Sequence, residues 1–192
     1  MVRYNAVEDP LCYPGTHVLV NKADIEDQDQ LDQFEQLMFD SRATESLPNG
    51  NLDFAHYGAL HYHFFQDVYG WAGNIRTIRT GKGDNWFGFP EYIEAEAKRL
   101  FAQLASRGYL ATAETKDAFA EGSAWFLGEI NAIHPFREGN GRIQLVFLTM
   151  LARNAGYEVD EGELRPGPFL QAMIKSFHRE LAPLVNEIRR MI

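Results

Sequence analysis

Cysteine and long apolar runs are both scarce in this chain of 192 residues. Cys12 is the only cysteine, which excludes a disulfide framework and a zinc site built from several cysteines. The longest apolar run, from Ile143 to Ala152, is about half as long as a membrane-spanning helix, and the N-terminus has no apolar signal core. We therefore expect a protein of a reducing compartment, cytoplasmic or delivered into another cell, with no membrane partner.

Positive charge is also in short supply, because 18 lysine and arginine residues face 27 aspartate and glutamate residues, giving a formal net charge of -9. Nucleic acids and acidic membranes require a broad basic face, so neither is expected as a partner. Any phosphate-binding site must therefore be confined to a small group of residues. The chain is 45% hydrophobic and has no repeat or linker-like stretch, so we expect a single domain over residues 1–192.

The spacing of apolar residues predicts a mostly α-helical protein. A helical core from about residue 27 to 156 is expected to follow an N-terminal segment, 1–26, and to precede C-terminal helices at about 162–192. The predicted helices run from Asp27 to about Thr44, Asp53 to about Tyr69, Pro90 to Arg107, Thr115 to about Ile133 and about Gly141 to Asn154. Two more are expected between Pro168 and Met191, with a break or a kink at Pro183.

Two of these helices carry more detailed expectations. In the first, an apolar stripe is expected to face the core, and the charge run from Glu26 to Glu35 is expected to face solvent. The stripe consists of Leu31, Phe34, Leu37 and Met38. The fifth helix is apolar nearly all round, so we expect it to be central and buried.

The stretch from about residue 74 to 89 changes from helical to alternating spacing. Ile75 and Ile78 alternate with threonines, a glycine-rich turn follows at 81–83, and Trp86 stands after the turn. Such a pattern predicts a β-hairpin.

The sequence HPFREGNGR lies between the fourth and fifth predicted helices. Gly139 and Gly141 allow a tight turn and a close approach of backbone N–H groups to a ligand. The following helix adds the positive end of its dipole. Arg142 offers a planar fork of donors suited to phosphate, and Asn140 adds an amide near the helix start. The loop therefore predicts an anion site.

Three other residues of the loop suggest chemistry and support. Glu138 would repel phosphate unless it holds Mg²⁺, which in turn binds phosphate oxygens. A neutral His134 can accept a proton from an attacking hydroxyl, whereas Phe136 is best interpreted as a core anchor of the loop. Each residue alone is more often a cap or a surface pair. Together they favour phosphoryl or nucleotidyl transfer from a magnesium nucleotide.

HPFREGNGR resembles the signature of the Fic (filamentation induced by cAMP) family, H-x-F-x-[DE]-G-N-G-R-x-x-R, at seven fixed positions. The stretches DPLCYPG and DVYGWAGNIR, the hairpin and the final helices resemble the family as well. This resemblance implies an all-α, Fic-like helical bundle with a small β-hairpin flap. It also implies a toxin or effector activity in which AMP passes from ATP to a Tyr, Ser or Thr hydroxyl of a target protein.

The resemblance implies a role for each motif residue. His134 would be the base, Glu138 the ligand of Mg²⁺, and Arg142 a contact of the triphosphate. Gly139, Asn140 and Gly141 would form the anion hole for the α- and β-phosphates.

The hairpin resembles the family's flap, which binds an extended target segment as an added strand. Candidate contacts to target or nucleotide are Lys82, Asn85, Trp86 and Phe87. For Phe87, a place in the core is an equal alternative.

The match to the signature ends at Leu145, which stands where the family has a second arginine. In the family that arginine binds the γ-phosphate, and losing such a charged contact costs about 1.5–3 kcal/mol. We expect activity to persist with weaker ATP binding or another donor. The alternatives are transfer of UMP, phosphate or phosphocholine, and a catalytically silent module that binds a partner.

The family's inhibitory pattern, [ST]-x-x-x-E-[GN], has only two partial matches, Ser41 to Glu45 and Ser176 to Glu180. We therefore predict no strong self-inhibition. A separate small antitoxin-like protein is a candidate inhibitor, although Leu145 leaves the inhibitory glutamate without its arginine. The histidines His56, His61 and His63 lack the spacing of a metal pair, so surface or packing roles are expected.

Overall fold

The computed structural model of the protein describes residues 9–82 and 85–192, and in these residues it has seven α-helices and one β-hairpin. Residues 1–8 of the predicted N-terminal segment and residues 83–84 of the predicted turn lie outside them. The helices are α1 (Gln28–Ala43), α2 (Phe54–Phe65), α3 (Pro90–Ser106), α4 (Lys116–Ile133), α5 (Asn140–Asn154), α6 (Pro166–Ser176) and α7 (Ala182–Met191). Short 3₁₀ turns lie at Gly108–Leu110 and Glu161–Glu163. The prediction of a mostly helical protein is confirmed.

Side-chain caps determine where three of the predicted helices begin. Asp27 accepts from the backbone N–H of Gln30 at 2.9 Å, at the start of α1. Asp53 and Thr115 cap α2 and α4 in the same way. The predicted end of α2 at Tyr69 is wrong, because α2 ends at Phe65 and the chain continues in turns towards Gly70.

The hairpin is much smaller than the predicted span of 74–89. Its strands are only Gly81–Lys82 (β1) and Asn85–Trp86 (β2), antiparallel, with Gly81 opposite Trp86. Ile75 and Ile78 precede it without a strand partner in the described part of the chain. An arginine side chain takes the place of hydrogen bonds between strands here. The guanidinium of Arg76 donates to the carbonyl oxygen of Ile78 at 2.7 Å and to that of Gly88 at 2.5 Å.

The core surrounds α5, as its apolar sequence predicts. Ile143, Phe147, Leu148 and Leu151 of α5 are fully buried, and the helix packs against both α2 and α4. Aromatic rings fill the space between these helices, with Phe147 lying 5.4 Å from both Tyr57 and Phe126 between ring centroids. This rigid centre positions the N-terminus of α5, where the signature lies.

The prediction for α1 is wrong on two counts. Leu37, expected in the core, is 61% exposed, whereas Glu35, expected in solvent, is only 4% exposed. The reason is that Glu35 has a cationic partner inside the protein, described below. Near the C-terminus, Pro183 does not separate two helices but lies in the first turn of α7, where proline needs no N–H partner.

The three histidines of α2 are buried packing residues. The Nε2 atom of each faces a backbone carbonyl oxygen: that of Pro48 for His56, Glu138 for His61 and Arg42 for His63, at 2.8 to 3.1 Å. Among the described residues, no group of three potential metal ligands from His, Cys, Asp and Glu comes together. The described helices include none long and apolar enough to cross a membrane.

Candidate active site

The signature forms a loop with a left-handed residue at each end. His134 ends α4 with a φ of 50°, and Gly139 precedes α5 with a φ of 80°. The side chain of Asn140 closes the loop, because its Oδ1 accepts from the N–H of Phe136 at 3.0 Å and its Nδ2 donates to the carbonyl of Phe136 at 2.8 Å. Asn140 is fully buried. Only its backbone N–H is therefore placed for the predicted contact to a nucleotide.

Aromatic stacking holds the loop against α2. Phe136 is fully buried, and its ring centroid lies 3.9 Å from that of His61 and 5.6 Å from that of Tyr57. His61 also accepts from the N–H of Gly73 through Nδ1, at 2.9 Å, so its Nε2 carries the proton donated to the carbonyl of Glu138. Burial lowers the pKa of His61 to about 3, which keeps the ring neutral in this role.

Backbone groups before and after the hairpin are tied to the signature by Arg76. Its Nε donates to the carbonyl oxygen of His134 at 2.7 Å, and its backbone N–H donates to that of Pro135 at 2.9 Å. Because the same guanidinium binds Ile78 and Gly88, the flap and the loop share one anchor. Sequence reasoning did not single out Arg76, since only the fold shows which carbonyls it meets.

His134 has the geometry and charge state of a proton acceptor. Its ring stacks on Phe87 at 3.6 Å with an interplanar angle of 7°. Nδ1 lies 3.2 Å from the carbonyl oxygen of Asn131, which assigns the proton to Nδ1 and the lone pair to Nε2. Burial lowers the pKa of His134 well below its usual value, and the positive charges of Arg76 and Lys82 lower it further. The imidazole is therefore neutral near pH 7.

Burial and a neighbouring carboxylate disfavour the charged form of Glu138, whereas the positive charges of Arg142 and Arg137 act in the opposite direction. Burial raises the pKa of Glu138, and the negative charge of Glu35 raises it further. Its Oε1 accepts from the N–H of Gly139 at 2.9 Å. A divalent cation would stabilise the ionised carboxylate in such a place, so the residue fits the predicted magnesium ligand.

Backbone N–H groups converge where α5 begins. The first helical hydrogen bond at this end runs from Ile143 N–H to the carbonyl of Gly139, at 3.1 Å. The N–H groups of residues 140–142 thus precede the helical ladder and lie at the positive end of the helix dipole. This is the arrangement that binds phosphate at a helix terminus.

The guanidinium of Arg142 rests on two aromatic rings and one carboxylate. It lies 4.7 Å from the centroid of Phe65 and 5.4 Å from that of Phe39, and one of its nitrogens donates to a carboxylate oxygen of Glu35. The side chain of Arg142 is 26% exposed, whereas that of Glu35 is 5% exposed. The guanidinium of Arg142 is thus held by the two rings and Glu35 on one side and is open to solvent on the other.

Glu35, like Arg76, is a residue of the site that sequence reasoning missed. The signal was its position four residues after Leu31 and four before Phe39, in register with the buried face of α1. A carboxylate on such a face requires a buried partner. Leu31 also stands where the inhibitory pattern requires Ser or Thr, so Glu35 is not the inhibitory glutamate of that pattern.

Glu35→Ala is expected to lower the free energy of unfolding by about 2–3 kcal/mol, because it leaves the partly buried guanidinium of Arg142 without its anion. Urea unfolding followed by circular dichroism measures this change. The matched control is Glu45→Ala, which removes an exposed partner of Arg42 and should change stability by less than about 0.5 kcal/mol. Equal effects of the two substitutions would contradict the structural role of Glu35.

The predicted flap contacts divide between two faces of the hairpin. Lys82 and Asn85 are partly exposed, and Trp86 is 45% exposed. Phe87 is buried, with its ring against those of His134 and Phe177. Leu145 packs its side chain partly against the hydrophobic core and brings no charge to the site.

Comparisons with known proteins agree with this geometry. The Fic/DOC family model matches residues 51–152. The chain is 74% identical over 192 residues to the probable protein adenylyltransferase y4lH of Sinorhizobium fredii, covering 100% of both chains. It is 34% identical to the protein adenylyltransferase VbhT of Bartonella schoenbuchensis, over 99% of this chain and 40% of that protein.

A solved structure shares the fold. The BepC protein of Bartonella tribocorum, with bound AMPPNP, superposes with a TM-score of 0.84 at 25% identity, covering 94% of this chain and 95% of that one. The family model spans more than half of the chain, and the complete loop HPFREGNGR lies inside that span. The chain therefore belongs to the Fic/DOC family.

Proposed function

We propose that the protein is an adenylyltransferase that moves AMP from Mg-ATP to a Tyr, Ser or Thr hydroxyl of a target protein. The observation that carries this proposal is the neutral, Nδ1-protonated His134 beside the N-terminus of α5. A proton acceptor and a phosphate-binding helix terminus together are what nucleotidyl transfer to a hydroxyl requires. The relatives named as adenylyltransferases support the same donor.

The reaction follows from these positions. The target hydroxyl attacks the α-phosphorus of ATP while its proton passes to Nε2 of His134. The bond between that phosphorus and the oxygen leading to the β-phosphorus breaks, and pyrophosphate leaves. Backbone N–H groups of residues 140–142 and the guanidinium of Arg142 stabilise the charge on the phosphate oxygens.

Glu138 is the residue that would hold Mg²⁺, which neutralises phosphate charge when bound. Leu145 supplies no contact to the γ-phosphate, so Arg142 is the signature's remaining arginine for the triphosphate. We expect this to appear as weaker binding of ATP rather than as loss of transfer, since the γ-phosphate leaves with the pyrophosphate.

The flap is proposed to bind the target as an extended segment added to its edge. A small antitoxin-like inhibitor that acts through a glutamate would find no arginine at position 145, and Arg142 already pairs with Glu35. Any such inhibitor would therefore have to block the nucleotide site by another contact.

The test is incubation of the protein with a cell lysate and ATP labelled either in the adenine ring or at the γ-phosphate. Label from adenine on a protein band, without γ-label, is the expected result. Transfer of γ-label would instead indicate a kinase-like reaction, and UTP and CDP-choline run in parallel test the other donors. No transfer from any donor would favour a silent partner-binding module and overturn the proposal.

A further inference from the structure

Four side chains form an exposed aromatic and cationic surface beside the hairpin, here called the outer flap patch: Arg79, Trp86, Phe89 and Tyr92. The three aromatic residues are 45%, 46% and 61% exposed. The guanidinium carbon of Arg79 lies 3.9 Å from the ring centroid of Phe89 and 5.2 Å from that of Trp86. Phe89 meets Tyr92 edge-on at 6.5 Å.

The composition of the patch is that of a protein interface rather than of an ordinary surface. Tryptophan, tyrosine and arginine are the residues that contribute most to binding at such interfaces, and contiguous exposed rings are uncommon elsewhere. Arg79 has no carboxylate within ion-pair distance among the described residues. Stacking on Phe89 holds its guanidinium in place.

The hairpin places this patch on the face opposite the catalytic histidine. Phe87 stacks on His134 at 3.6 Å, whereas its neighbour Trp86 is exposed over Gly81 on the other face. Side chains alternate between the two faces of a sheet. In a segment that adds to the hairpin as a strand, a hydroxyl residue directed to the face of His134 has neighbours directed to the face of Trp86 and Arg79.

We infer that the patch contacts the residues immediately before and after the modified hydroxyl residue in the target sequence, and that it selects an acidic side chain there. A carboxylate at the position before or after the hydroxyl residue meets the fork of Arg79, and the rings of Trp86 and Phe89 cover its methylene groups. The inference rests on the proposed function. It assigns the substrate class as hydroxyl residues in extended segments with an adjacent Asp or Glu.

The experiment compares tyrosine peptides that differ only beside the tyrosine, carrying Glu, Ala or Lys on both sides, with adenine-labelled ATP as donor. We expect kcat/KM for the glutamate peptide to exceed that for the lysine peptide by about tenfold or more. Arg79→Glu should reverse this order, whereas Arg79→Lys should keep it. Arg99→Glu, an exposed charge reversal on α3 outside the patch, is the matched control and should leave the order unchanged.

Each outcome decides the inference. Equal rates for all peptides, or an order unaffected by Arg79→Glu, would overturn it. Labelling of lysate proteins without labelling of any peptide would overturn it too, because recognition would then lie outside the segment beside the hydroxyl. Failure of the proposed function differs from all of these, since it leaves both lysate proteins and peptides without adenine label.

Discussion

Replacing His134 by alanine is expected to lower kcat for AMP transfer by a factor of about 10²–10⁴, to the background of the assay. The reason is that Nε2 of this neutral ring is the proposed acceptor for the hydroxyl proton, and stacking on Phe87 holds the ring in position. Binding of Mg-ATP should change little, because the proposed phosphate contacts come from the start of α5. Single-turnover transfer and calorimetric titration with ATP measure the two effects separately.

The control for this substitution is His178→Ala, which removes an exposed histidine far along the chain from the signature and should leave transfer unchanged. Circular dichroism must show the same helix content for both variants and the parent protein. Transfer that persists at the parental rate in His134→Ala would contradict the assignment of the base.

Replacing Gly139 by alanine is expected to destabilise the fold by about 2–5 kcal/mol. A Cβ at this position would lie 2.3 Å from Cζ of Phe65, and the residue has a φ of 80° that favours glycine. Phe65 is fully buried and stacks on His61 at 4.7 Å, so its ring has no space into which to move. Thermal or urea unfolding measures the loss of stability, and nucleotide binding should fall with it because α5 begins at this point.

Gly141→Ala is the matched control, two residues further along the same motif. A Cβ there meets no atom within 4 Å, and the residue is helical. Stability should therefore stay the same or rise by up to about 1 kcal/mol, which is the advantage of alanine over glycine inside a helix. Equal destabilisation by the two substitutions would show that contact with Phe65 is not the reason for glycine at 139.

The parts of the fold that sequence reasoning predicted are those determined locally. Asp27, Asp53 and Thr115 cap their helices through backbone groups three residues away, and α5 is buried because apolar residues occur nearly all round it. The predicted hairpin was too long because Ile75, Thr77 and Ile78 are β-branched residues typical of strands. Ile75 and Ile78 are three residues apart, however, and the side chain of Arg76 satisfies nearby carbonyls instead of a strand partner. Sequence alone does not show which backbone groups a long side chain will contact.

The candidate site also has one part that the sequence predicted and one part that it did not. The loop from His134 to Arg142 is contiguous, so its composition indicated an anion site before any fold was known. Glu35 belongs to the same candidate site, but in the sequence it is one of several acidic residues of α1 and does not stand out from them. Only the fold, in which α1 packs against α2, shows that this one carboxylate meets the guanidinium of Arg142.

The pair of Glu35 and Arg142 joins positions 107 residues apart. It couples two equilibria, the docking of α1 and the proposed binding of nucleotide. In the proposed function the guanidinium of Arg142 receives the triphosphate. Because docking of α1 orders this guanidinium, binding of ATP should in turn favour the docked helix by the same coupling free energy. Amide hydrogens of α1 should then exchange more slowly when ATP is bound, although the proposed nucleotide site lies at the start of α5. Exchange in α1 would thus respond to a ligand that binds at another helix.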